Sequence, residues 1–208
     1  MSRLKKTGVI EQVGDNWVGS QPLQLRWEID DNYTAATTEE VRGYDSVKGA
    51  SSAELIKRGE QEAIEFKQTA LCDPATGERL RSLKDVVVKT VAGFLNAAGG
   101  VLLIGVADNG QVTGIEGVMA LTERRKGDVD EYQVWLTNVL VAKLDGRFVA
   151  HYVGVEFDTL EGRQICRVNV EPSLEPCYIN GDTFVARIGN TTQTFNTKQA
   201  HEYISDHW

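Results

Sequence analysis

The run Val101-Leu-Leu-Ile-Gly-Val106 constrains this chain more than any other stretch. It is apolar without alternation, which suits a strand buried on both faces of a sheet. Such a strand needs cover on two sides, so the rest of the chain has to supply a layer for each. Just before it, Val87, Val91, Phe94 and Leu95 repeat at the spacing of one helical face, in a helix expected over Leu83 to Asn96. Gly99-Gly100 stops that helix. Earlier still, Ile64 and Phe66 alternate with Glu65 and Lys67 as in a half-buried strand. Asp108 falls just past the apolar run, where Asp108-Asn-Gly110 reads as a turn. Two carboxylate-bearing segments are thereby delivered to neighbouring places.

The remaining chain supplies several short elements. Ser51-Ser-Ala-Glu54 has capping-box spacing and opens a helix that Gly59 ends. Glu60 then lies five residues before Glu65, so the two share a side only if Glu60 belongs to a turn. Gln111 to Ile115 is expected to return as a hairpin partner after Gly110. Asp128 or Asp130 caps a helix whose core stripe is Tyr132, Trp135, Leu136, Val139, Leu140 and Leu144. Strands are expected at Val149–Phe157 and Gln164–Val170, joined by Glu161-Gly162. A tight hairpin follows at Asn180-Gly181, then a strand from Phe184 into the Gly189-Asn190 turn. Asn196 or Thr197 caps a final helix. Upstream, Thr7–Val13 and Leu23–Ile29 form a β ribbon or arm, with Gly14-Asp15-Asn16 as a turn, and the polar stretch 30–49 reads as a linker. The domain division is 1–50 and 51–208. Interleaved helices and antiparallel hairpins make the fold class α+β, with a mixed, largely antiparallel sheet.

At 208 residues, 41% hydrophobic and 25% charged, the composition is that of a soluble globular protein. No run is apolar enough to span a bilayer, and the opening residues lack a signal-peptide core. Three scattered cysteines and three scattered histidines indicate neither a disulfide framework nor a metal cluster, and a reducing cytoplasm is the expected setting. A net charge of −8 argues against a protein that coats nucleic acid generally, so phosphate binding has to use a local patch. Arg79, Arg81, Lys84 and Lys89 form one candidate, and Arg124-Arg125-Lys126 another. Each alone also fits a solvated surface.

Glu65, Lys67 and Asp108 have a chemical logic. Converging carboxylates make an oxygen site for Mg²⁺ or Mn²⁺, and a neighbouring lysine can hold phosphate. Taken on composition alone, an exposed Glu–Lys strand pair with an unrelated turn is the better account. Arg187 beside Gly189-Asn190-Thr191-Thr192 either binds an anion or pairs with an acid. No phosphate-cradling glycine motif is present, so nucleotide binding has little support.

Five separated blocks together resemble the Schlafen AlbA-type domain family. They are Glu60-x4-Glu65-Phe-Lys67, then Lys89-Thr-x-Ala-x-Phe94-x-Asn96-x-x-Gly99-Gly100, and Leu103-Ile-Gly-Val-x-Asp108-x-Gly110-x3-Gly114. Val170-x-Pro172-Ser173-x-x-Pro176 and Phe184-Val-x-Arg187-x-Gly189-Asn190-x-Thr192 complete the set, which spans about residues 52 to 208. The resemblance implies an α+β nucleic-acid-binding domain. In the Schlafen branch two such lobes form a saddle on structured RNA, chiefly tRNA, and three carboxylates cleave it with Mg²⁺ or Mn²⁺. Those carboxylates correspond to Glu60, Glu65 and Asp108, with Lys67 as the following lysine, which reverses the reading from composition. Lys67, Lys89, Arg124, Arg125, Lys126 and Arg187 are then the expected phosphate contacts. Ala107 departs from a frequent second aspartate, and Ala97-Ala98 from small polar residues. With one lobe in this chain, a saddle implies a homodimer. The alternative is a non-catalytic module binding DNA, RNA or protein.

Overall fold

The computed structural model describes residues 10–13, 16–19, 42–71, 81–119 and 128–208. The chain divides into two units, Met1–Glu40 and Val41–Trp208. In the first, β1 (Ile10–Val13) pairs antiparallel with β2 (Asn16–Gly19). A ribbon is present as expected, but Asn16 belongs to its second strand rather than to the turn. Trp17 and Val18, both good strand formers, follow it at once. The partner expected at 23–29 lies outside the described residues.

The second unit begins with a 3-10 turn, Gly43–Ser46, and α1 (Ser52–Arg58). The capping box forms as expected, with Glu54 N–H donating to Ser51 Oγ and Ser51 N–H to the Glu54 carboxylate. Val47, inside the stretch read as a linker, is buried against Leu55 and the sheet. Next come β3 (Ile64–Lys67), α2 (Arg81–Leu95) and β4 (Gly100–Ile104). β3 and β4 are parallel, with Glu65 opposite Leu102 and Lys67 opposite Ile104. Parallel neighbours need a crossover, and α2 is part of it. Gly99 lets the chain turn from helix into strand at φ 74°, where a Cβ would meet the Val170 carbonyl at 2.5 Å.

After α3 (Glu116–Met119) and α4 (Val129–Leu144), α5 (Gly146–Tyr152) leads into β5 (Val153–Leu160) and β6 (Arg163–Val170). β6 pairs antiparallel with both β4 and β5, so the sheet order is β3-β4-β6-β5. β7 (Tyr178–Ile179), β8 (Thr183–Ile188) and β9 (Thr191–Thr194) make a second antiparallel sheet, and α6 (Thr197–His207) follows. The architecture is α+β, as the sequence predicts.

β4 is buried at every position. Leu102 and Ile104 face a core shared with α2 and α4, including Phe94, Tyr132 and Leu136. Val101 and Leu103 face a second core with Leu55, Ile64 and Phe66. Two expectations are corrected. The segment from Val149 to Tyr152 is helical, because the Asp145 carboxylate accepts the Arg147 N–H and starts α5 there. The hairpin after Gly110 shrinks to one bridge, Val106 to Val112, before Ile115 N–H turns away to the Gln164 carbonyl of β6.

Candidate functional site

β3 is an edge strand of its sheet among the described residues. In a parallel pair, alternate residues aim their peptide groups at the neighbour. The Ala63 and Lys67 carbonyls accept from Val101 and Gly105, so the peptide groups of Ile64 and Phe66 face the open edge. Local groups fill that edge. Gln61 and Ile64 exchange both backbone bonds, at 3.0 and 3.1 Å. Phe66 N–H donates to Glu60 Oε1 at 2.9 Å, and Lys67 Nζ donates to the Phe66 carbonyl at 2.7 Å.

Glu60 thus belongs to the turn ahead of the strand, which is the condition for its approach to Glu65. The two acids meet at one ammonium. Lys67 Nζ lies 2.6 Å from Glu65 Oε1 and 3.9 Å from Glu60 Oε1. The other oxygen of Glu65 is taken by Arg187, whose Nη1 is 2.8 Å from Oε2. Arg187 reaches across from β8 with its side chain 2% exposed. Its Nε donates to the Glu62 carbonyl at 2.6 Å and its Nη2 to the Gln61 carbonyl at 2.8 Å. The guanidinium carbon stacks 4.8 Å from the Phe94 ring centroid. One arginine therefore joins the second sheet, α2 and the turn before β3. Its receptors are mostly backbone carbonyls, which no side-chain motif could have announced.

Asp108 does not complete a metal-ligand group with these acids among the described residues. It is exposed in the turn closed by Gly110 N–H on the Ala107 carbonyl. Gly110 of that turn lies beside Ile56 of α1, which packs on the core that holds Ile64 and Phe66. Glu65 points to the opposite face, since side chains alternate along β3. Of the remaining cations, Lys89 is half-buried on α2, and Arg124, Arg125 and Lys126 lie outside the described residues.

The residues as arranged do not fit a resident Mg²⁺ or Mn²⁺. Both oxygens of Glu65 are engaged by protein cations, and no group of three or more His, Cys, Asp or Glu that could hold a metal forms among the described residues. The other motif positions are connectors. Asn96 Nδ2 donates to the Cys177 and Val185 carbonyls, both at 2.7 Å, and its Oδ1 accepts the Cys177 N–H at 2.8 Å. Ser173 places its N–H and its hydroxyl on the Leu95 carbonyl at the end of α2. Tyr203 of α6 donates to the Asn96 carbonyl at 2.8 Å, and burial, then the Glu62 charge, pushes its phenol above the usual range.

Residues 60–196 match the family model described as Schlafen, AlbA_2, and the chain belongs to that family. No curated protein matches the chain. A solved structure, the DIP2311 protein from Corynebacterium diphtheriae, is similar at 19% identity over 70% of this chain, with a TM-score of 0.49. The similar region covers 24% of that protein, so this chain spans only part of its length. No helix among the described residues is long and apolar enough to cross a membrane.

Proposed function

We propose that this chain is a nucleic-acid-binding domain that holds the phosphate backbone through a local set of cations. The observation that carries the reading is membership of the Schlafen, AlbA_2 family over residues 60–196. A net charge of −8 confines attraction for phosphate to a patch. Lys89 and Arg124-Arg125-Lys126 are the cations assigned to it. Lys67 is 23% exposed and held by Glu65, and the buried Arg187 is spent on the fold. Anisotropy titrations of tRNA and single-stranded DNA across a salt series test this reading. Replacing residues 124–126 by alanine weakens binding to both and lowers the salt slope by roughly 2 to 3. An unchanged affinity and slope contradicts the assignment. A saddle on structured RNA needs a second copy of this lobe, and a solution mass of twice the chain's supports that pairing.

A second reading has one observation in its favour, the approach of Glu60 and Glu65 to the same ammonium. On that reading the chain is an Mg²⁺- or Mn²⁺-dependent endoribonuclease for structured RNA such as tRNA, with Glu60, Glu65 and Asp108 as metal ligands and Lys67 beside the phosphate. It requires Glu65 to give up Lys67 and Arg187, and Asp108 to join the two glutamates. Cleavage products that vanish with EDTA and in Glu65→Ala select it. Intact RNA in every lane leaves binding alone.

A further inference from the structure

The carboxylates that the family resemblance marks for a metal already have cations, and those cations belong to the protein. We infer that Glu60, Glu65, Lys67 and Arg187 form a metal-independent lock, which closes the free edge of β3 and fastens β8 to it. This inference is independent of nucleic-acid binding, and its test contains no nucleic acid.

Three features carry it. First, every edge-facing peptide group of Ile64 and Phe66 has a local partner, and two of those partners are the Glu60 carboxylate and the Lys67 ammonium. An unpaired edge is a template for another strand, so filling it with side-chain charge is a protective device. Second, Glu65 has a cation on each oxygen, at 2.6 and 2.8 Å, and is itself only 15% exposed. A divalent ion at that carboxylate has to displace a guanidinium that is anchored on two carbonyls and stacked on Phe94. Third, Asp108 is exposed and completes no group of three metal ligands with these acids among the described residues, so the oxygen set is incomplete.

Removing either partner of a buried ion pair strands the other charge, whereas removing both does not. In thermal unfolding of the full chain, Glu65→Gln and Arg187→Gln each lower the midpoint by about 10 °C. The double variant falls by clearly less than the sum of the two, because the sites share one interaction. Glu60→Ala also speeds hydrogen exchange at the Phe66 amide. Mn²⁺ titrated into the wild-type protein up to about 1 mM, the weak end of carboxylate sites, gives no saturable heat and no rise in midpoint. Additive losses, or a Glu65→Gln protein as stable as wild type, overturn the lock. So does saturable Mn²⁺ binding that stabilises wild type, a result that stands even where a variant fails to fold.

Discussion

Asn96 is fully buried and uses both amide hydrogens and its amide oxygen on the backbone of residues 177 and 185. Alanine there orphans one N–H and two carbonyls inside the core. At roughly 1 kcal/mol or more for each, Asn96→Ala should cost about 3 kcal/mol in denaturant unfolding. The motif that contains Asn96 is readable in the sequence, but its role is not. Its partners lie 81 and 89 residues away, and a backbone carbonyl has no residue identity to recognise. The same holds for Arg187. Its type allowed either a bound anion or an acid partner, and it is buried against Glu65 and the turn before β3. The buried thiols make a further prediction. Burial raises the Cys166 thiol far above its ordinary range, and it pushes Cys177 up to about 12, with Asp145 and Glu175 adding to the effect. Both folded values are raised, so the stability they contribute is complete below the unfolded value near 9 and is lost as pH rises from there towards about 12. In a Cys72→Ser background, a thiol reagent at pH 8 should leave the native protein unmodified and label it on unfolding. Rapid labelling of the native protein contradicts the burial.

Local signals place most elements correctly. The Ser51–Glu54 box starts α1, Asp128 starts α4, the Asn180-Gly181 turn joins β7 to β8, and Asn196 with Gln199 starts α6. Asn196 Oδ1 accepts the Gln199 N–H at 3.0 Å, so Asn196→Ala should destabilise the chain by about 1 kcal/mol in thermal unfolding. No measurable loss would show that α6 is held by packing alone. Where tertiary context competes, the local signal fails. Val149 and Tyr152 fit a strand pattern, yet the Asp145 cap makes this stretch α5. The pattern of the candidate site was likewise half legible. The spacing allowed Glu60 to approach Glu65 only from a turn, and Glu60 lies in that turn, 3.9 Å from the ammonium that Glu65 holds. Spacing could not reveal that the Asp108 turn folds towards α1, since that depends on how Gly110 packs against Ile56.

At the scale of the molecule, the two sheets of the second unit meet through α2 and one arginine, and two acids of the family motif, Glu60 and Glu65, are bound up in that junction. On the proposed reading, nucleic-acid binding does not require a metal. The most direct measurement is the affinity for tRNA in Mn²⁺ against EDTA at matched ionic strength, read by anisotropy with the RNA checked on a gel afterwards. The account predicts equal affinity in both conditions, falling steeply with salt, and intact RNA. Binding that needs Mn²⁺, or cleavage that appears with it and is lost in Glu65→Ala, would contradict it.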